Sequence, residues 1–225
     1  PVIAKFYRPG RWSAAAILEE HAFLKELHEA EIPVVAPLTD AQGDTLLHHA
    51  GFRFTLFPRQ GGRAPDLERM DNLEWLGRFM GRIHAIGGTA HFQHRAAIDI
   101  ETFGREPRAC VLECRFLPAT LAPRYREVTD LLLAGIERCF ERAGKFSRLR
   151  LHGDCHPGNV LWTDAGPHFV DFDDCATGPA IQDLWMLLSG TRQEMQQQFG
   201  HVLDGYEQFA DFNPAELWLI EALRT

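Results

Sequence analysis

The sequence predicts an α+β chain in two unequal parts, a small β-rich part followed by a larger, mainly helical one. Three observations carry this. Residues 2–7, Val-Ile-Ala-Lys-Phe-Tyr, alternate like a strand, and residues 52–57, Phe-Arg-Phe-Thr-Leu-Phe, are strongly β-prone. The cluster Pro58-Arg59-Gln60-Gly61-Gly62-Arg63 then interrupts all periodicity. Beyond it, apolar residues recur at helical spacing, beginning with Leu73, Leu76, Phe79, Met80 and Ile83. The expected division is residues 1–57, a connecting hinge at 58–65, and a helical part at 66–225.

Taken in order, the first strand contains Lys5, a charge inside an apolar pattern. Ser13 can cap a helix over Ala14 to Ala30, with Ile17, Leu18, Phe23, Leu24 and Leu27 on its apolar face. Glu19 and Glu20 on that helix are candidate partners for Lys5, the other facing solvent. Val34-Val35 and Thr45-Leu46-Leu47 read as further strands. Asp66 or Asp71 is the expected cap of the next helix, where Gly77 and Gly81 allow close helix approach and His84 ends the stripe in a packing role. Residues 88–123 read as irregular, flanked by Arg108, Arg115 and Arg124, and the Pro-rich run 116–123 is poor in acids. Leu131 to Arg142 reads as an amphipathic helix. Pro179 suits the start of another helix that carries Asp183 on an apolar face, where an unpaired carboxylate would be costly. Met195 to Phe209 is helical, and Asn213-Pro214-Ala215-Glu216 caps a last helix that the chain leaves at Thr225.

The richest stretch is 151–174. Val160-Leu161-Trp162 and Phe169-Val170-Asp171-Phe172 are β-prone, and Thr163-Asp164-Ala165-Gly166-Pro167 turns between them. The hairpin returns Asp171 to the loop holding Asp154 and Asn159, which lie five residues apart. Two carboxylates and a carboxamide suit a hard cation; Mg²⁺ is held by a few protein oxygens, with phosphate and water completing the octahedron. A zinc site at His152, Asp154 and His156 is the weaker reading, because Pro157-Gly158 follows at once; His152 is expected to bond loop backbone, and His156 to be structural or near phosphate. If the second strand continues, Asp173 and Asp174 point to opposite faces.

Composition sets bounds. A hydrophobic content of 45% in 225 residues supports a sizeable core. The net charge of −8 argues against a nucleic-acid surface, which rewards Lys and Arg. No apolar run is long enough for a membrane helix. The five cysteines, Cys110, Cys114, Cys139, Cys155 and Cys175, have irregular spacing and read as free thiols of a reducing cytoplasm. Cys155 and Cys175 adjoin the Asp154 and Asp171 motifs, so their modification is expected to crowd the site.

In phosphoryl-transfer sites of the protein-kinase type, an Asp and an Asn five residues on share the catalytic loop, and a later Asp binds Mg²⁺. The pattern HGDxHPGN followed by VDFDD resembles the aminoglycoside phosphotransferase and choline kinase family, which has a protein-kinase-like, two-lobed fold. Read residue by residue, the resemblance implies Asp154 as catalytic base, Asn159 and Asp171 as metal ligands, Lys5 on the α- and β-phosphates of ATP with Glu20 as its partner, and adenine against the hinge at Leu56, Phe57 and Arg59. It implies that Asp183 braces the catalytic loop through backbone N–H groups. Longer stretches, AKFYRPGRW, GFRFTLFPRQGGRAP and VDFDDCATGPAIQDLWMLLSG, are similar to a bacterial stress-response group within the family. That similarity implies an ATP- and Mg²⁺-dependent serine/threonine protein kinase, cytoplasmic and monomeric, with a protein substrate; a small-molecule kinase is the alternative. The strands and Gly-rich loop expected upstream of Lys5 are absent, which makes a partial N-lobe and an incomplete chain the expectation.

Overall fold

The computed structural model describes residues 1–114 and 117–225, so Arg115 and Phe116 lie outside the described residues. Strand β1 (Val2–Tyr7) leads into helix α1 (Ala14–Glu29), whose first turn is closed by Ser13 Oγ accepting from Ala16 N at 3.0 Å. Strands β2 (Leu47–His49) and β3 (Phe52–Pro58) follow. The three strands form an antiparallel sheet in the order β1-β3-β2, with Lys5 opposite Thr55. Val34-Val35 does not form a strand: Val34 makes one isolated bridge, to Phe169. Thr45-Leu46 precedes β2 rather than starting it, since Leu46 turns into a small core with Tyr7 and Ile17.

Residues 58–65 are less free than their composition suggests. Arg63 and Trp162 exchange backbone hydrogen bonds of 3.0 and 2.7 Å, which lays this segment along the later hairpin. Helix α2 (Met70–Gly87) begins after Arg69, not at an aspartate cap. Asp66 instead accepts from Glu68 N at 3.1 Å, closing a turn before the helix, and Asp71 lies inside the first turn.

The stretch expected to be irregular contains a π-helical turn (Glu101–Arg105) that runs directly into helix α3 (Glu106–Glu113), with Pro107 at the junction. Helix α4 (Ala122–Ala143) is longer than its apolar stripe predicts. Arg108 on α3 bonds Thr129 and Asp130 on α4. Strand β4 (Leu149–Leu151) pairs with β7 (Ala176–Gly178), and between them β5 (Val160–Thr163) and β6 (Gly166–Phe169) make the hairpin. Helix α5 (Ile181–Trp185) is short, its Ile181 N–H accepted by buried Glu216 at 3.0 Å. Helix α6 (Arg192–Tyr206) opens with a capping box of Thr191 and Glu194, and a 3₁₀ turn (Pro214–Leu219) started by Asn213 leads to α7 (Ile220–Leu223). Among the described residues no helix is long and apolar enough to cross a membrane.

One core runs from α1 through α2 to α5 and α6, built on Phe23, Leu27, Leu76, Met80, Leu184 and Tyr206. Helices α2 and α6 meet backbone to backbone. A Cβ on Gly77 would stand 2.0 Å from Val202 O, one on Gly81 2.5 Å from Tyr206 O, and one on Gly205 2.0 Å from Glu74 O. The first two glycines were legible as a close-approach pair; the third, on the opposing helix, was not. Gly77→Ala is expected to force the helices apart and destabilise the fold by about 1–3 kcal/mol, read as a lower midpoint in urea unfolding with an unchanged slope.

Candidate active site

The loop after β4 is held by a carboxylate from elsewhere in the chain. Asp183 on α5 is fully buried and accepts from His152 N and Gly153 N, both at 2.8 Å, while His84 Nε2 lies 3.1 Å from its Oδ2. Tyr206 on α6 bonds the other nitrogen of His84 at 3.0 Å. Burial alone would raise the Asp183 carboxyl; the His84 hydrogen bond and charge, His152 and the Gly153 amide hold it below the usual carboxylate range. His84, expected to be a packing residue, is thus part of a polar chain reaching the loop. His152 Nε2 donates to Val170 O at 2.9 Å, so its ring faces the backbone of the second motif and not a metal. Gly153 has φ +86, and a Cβ there would lie 2.1 Å from Asp174 O, so glycine is required where the two motifs touch.

Asn159 reaches back across the loop. Its Nδ2 donates to Asp154 O at 2.9 Å and to Asp154 Oδ2 at 3.3 Å, leaving the side-chain carbonyl as its acceptor end. His156 accepts from Gly158 N at 2.9 Å and stands 3.6 Å from Asp154 Oδ2.

The second motif departs from the expected strand. Strand β6 stops at Phe169, Asp171 adopts φ 61, and residues 172–174 form a 3₁₀ turn. Asp is among the few non-glycine residues that tolerate this left-handed conformation. The turn abolishes the alternation of Asp173 and Asp174: both face Arg11, at 2.9 and 2.6 Å. Asp171, Asp173 and Glu20 converge on Lys5 Nζ at 3.2, 3.1 and 3.3 Å. Burial alone would lower the Lys5 ammonium's pKa, but Glu20, Asp173 and Asp171 together raise it. Burial pushes the Glu20 carboxyl up against the pull of Lys5 and Arg95, so this ion pair is held at a desolvation cost. Asp173 is pushed up by burial and pulled below its usual range by Lys5 and Arg11.

Glu19 is not the solvent-facing residue that the helix pattern suggests. Its carboxylate accepts from Gln93 N, His94 N and Arg95 N at 2.6, 2.8 and 2.9 Å. Cys155 and Cys175 are buried beneath the two motifs rather than exposed at the site; burial pushes Cys155 well up and Cys175 up to about 12, against the opposing effect of Arg95.

Two cavities flank this junction. One, of about 420 Å³, is lined by Lys5, Glu20, Phe57, Gln60, Asp171 and Phe172. The other, of about 530 Å³, is lined by Asp154 and Asp174 together with Trp12, Phe103, Trp185 and Met186. Leu56 and Arg59, expected beside an adenine, line neither: Leu56 O already accepts from Leu38 N at 2.8 Å, and Arg59 N is bonded to Pro1 O at 3.2 Å. Phe57 does face the first cavity, with Pro58 and Gln60 next to it. Arg11 and Arg95 were missed in the sequence. Arg11 lies within the similar stretch at residues 4–12, but nothing in its periodicity distinguishes it from a surface arginine.

A small sheet with a lysine strand, a glutamate helix, and a loop-hairpin carrying Asp, Asn and Asp define the protein-kinase-like α+β fold. The chain belongs to the phosphotransferase enzyme family, whose model matches residues 1–218. It is 45% identical over 222 residues to stress response kinase A of Escherichia coli (strain K12), covering 99% of this chain and 66% of that protein. It is 44% identical over 222 residues to the serine/threonine protein kinase RdoA of Salmonella typhimurium (strain LT2), with the same two shares. The chain therefore spans just under two thirds of the length of these relatives. Among solved structures, the amicoumacin kinase hAmiN in complex with AMP-PNP, Ca²⁺ and Ami superposes with a TM-score of 0.78 at 21% identity, over 99% of this chain and 70% of that one.

The buried carboxylate at 183 yields a direct test. Asp183→Ala strands two amides and His84 in the core and is expected to cost on the order of 3–5 kcal/mol, measured by urea unfolding; Asp183→Asn, which keeps one acceptor oxygen, is expected to cost less.

Proposed function

We propose that the full-length protein is an ATP- and Mg²⁺-dependent kinase that transfers the γ-phosphate to a serine or threonine hydroxyl of a protein. The observation that supports this most is the convergence of Glu20, Asp171 and Asp173 on Lys5 at one cavity, with Asp154 and Asp174 lining a second. The first cavity takes the nucleotide, with the base against Phe57, Pro58 and Gln60, and the second takes the acceptor. In this reading residues 1–57 belong to the small lobe, 58–65 are the hinge, and 66–225 form the helical lobe.

The donor set suits a hard cation. Asp171 is more than half exposed beyond its contact with Lys5, and Asn159 keeps its carbonyl oxygen after its NH₂ is committed to Asp154. Asn159 and Asp171 would hold Mg²⁺, which when bound neutralises charge spread over the phosphates. Lys5 exchanges carboxylate partners for phosphate oxygens, and Glu20 keeps its ammonium directed into the cavity. Asp154 orients the acceptor hydroxyl and takes its proton, with Asn159 fixing the carboxylate. Asp183 holds the loop so that this carboxylate keeps its place as charge shifts.

The protein acceptor rests on the names of the two relatives. One observation favours a small hydroxylated cation instead. Asp154 and Asp174 line one cavity of bounded size with aromatic walls, while Asp173 turns to Lys5 and Arg11 and does not line it. Arg11 offsets this by neutralising Asp174 at 2.6 Å.

In the full-length protein, Asp171→Asn is expected to lose Mg²⁺-dependent nucleotide binding in calorimetry. Asp154→Asn should bind as the parent does and turn over about 10²–10⁴-fold more slowly; parental turnover in that variant would remove the base assignment. Acceptor class is decided by γ-phosphate transfer to a generic basic protein, set against amino alcohols, aminoglycosides and sugars. Protein phosphorylation with the higher specificity constant is expected, and a metabolite that outcompetes it would establish the second reading.

A further inference from the structure

Arg95 is an arginine outside the motifs whose side chain is held on several sides. It lies in the segment between α2 and the π-helical turn, and its side chain is wholly buried. Nη2 donates to Glu20 Oε2 at 3.1 Å, to Phe172 O at 3.2 Å and to Asp173 O at 3.0 Å. Nε lies 3.1 Å from Cys175 Sγ, and the guanidinium carbon stands 4.4 Å from the Trp12 ring centre. The backbone that carries Arg95 is fixed as well. Glu19 collects the amides of residues 93–95, and just beyond them Thr177 N and O bond Ala96 O and Ile98 N at 2.9 and 2.7 Å.

A buried guanidinium whose Nη1 has no partner among the described residues contributes little to stability alone. A well-packed apolar residue would cost less to bury. What the guanidinium does that no apolar residue can is join two things that the chemistry needs in register. One is Glu20, the carboxylate that directs Lys5. The other is the turn 172–174, whose carbonyls Phe172 O and Asp173 O directly follow Asp171. Glu20 also carries two cations in the structure, Lys5 and Arg95. When Lys5 is drawn toward phosphate, Arg95 remains to balance the buried carboxylate.

We infer that Arg95 is a positioning residue for phosphoryl transfer, a clamp that locks Glu20 on α1 to the turn following Asp171 so that Lys5 and Asp171 address the same phosphates. It touches neither substrate nor metal and acts through Glu20 and the turn. The inference rests on the phosphotransfer reading above for its purpose, although the clamp itself can be tested without nucleotide.

The test uses the full-length protein with Arg95→Ala and Arg95→Lys, each checked for an unfolding transition. Loss of the clamp is expected to raise the Mg²⁺ concentration for half-maximal nucleotide binding by about tenfold or more, the scale of one charge-assisted hydrogen bond. The KM for Mg²⁺-ATP should rise with it and kcat should fall. Arg95→Lys, which can reach Glu20 but cannot span both carbonyls, should fall between parent and Arg95→Ala. The second readout is the rate of maleimide labelling of Cys175 against Cys155, resolved by mass spectrometry without nucleotide. Cys175 should label about tenfold faster in Arg95→Ala as its turn loosens, while Cys155, which Arg95 does not touch, stays protected. Parental Mg²⁺ dependence and KM in a folded Arg95→Ala would overturn the inference. So would equal acceleration of both thiols, which marks an ordinary core residue. Should Arg95→Ala fail to fold, Arg95→Lys carries the same comparisons. If the parent itself binds no Mg²⁺-nucleotide, the phosphotransfer reading falls, and the thiol rates alone decide whether the clamp exists.

Discussion

The buried carboxylate of Asp183 is the constraint on which the arrangement depends. A loop that must present Asp154 and Asn159 to solvent cannot also pack its own backbone into a core, and its amides at 152 and 153 point inward. An unpaired amide there would be costly, and water has no access. Asp183 meets both donors with one group, and its charge is tolerated because His84 and the loop surround it. Everything nearer the surface inherits its place from this contact. Gln182 adds a bond to Gly153 O, His152 bonds the backbone of the second motif, and Gly153 lets that motif approach.

A second layer of order comes from helix α1, which faces the helical part with three glutamates. Glu19 binds the amides of 93–95, Glu20 stands between Lys5 and Arg95, and Glu26 pairs with Arg150 at 3.1 and 2.7 Å. The same helix bonds the sheet through His21, which meets Tyr7 at 3.0 Å and Thr55 at 3.3 Å. α1 is therefore the element through which the strand lysine is placed relative to the turn at 172–174. Its polar residues are directed, and a helix-period reading that sorts positions into buried apolar and exposed polar has no category for them.

That limit explains which features the sequence disclosed. The elements themselves were legible where periodicity is strong: β1, α1, β3, α2, α4 and the β5–β6 hairpin. Lys5, Asp154, Asn159 and Asp171 could be singled out because each breaks a local pattern, a charge in a strand or acids at fixed offsets around a turn. Boundaries failed where tertiary contacts overrode local chemistry. β6 ends early because Asp171 takes a left-handed conformation, and α2 starts without an aspartate because Asp66 closes a separate turn. Arg95 was illegible because it sits in an aperiodic segment, and its partners come from three different parts of the chain: Trp12, Glu20 and the turn at 172–175. Leu56 and Arg59 fall outside the cavity for a similar reason: the backbone groups that would serve an adenine are already bonded to Leu38 and Pro1.

The backbone contact of α2 with α6 reaches further than packing. His84 rides on α2 and Tyr206 on α6, and they bond each other on the way to Asp183. With glycine at 77, 81 and 205, no layer of side chains lies between the helices to absorb a displacement. The separation of two helix axes thus acts as a gauge for the height of the loop that bears Asp154. A substitution along α6 that shifts this contact shifts Tyr206 and His84 with it, so the helix pair serves as a mechanical reference for the loop that bears Asp154.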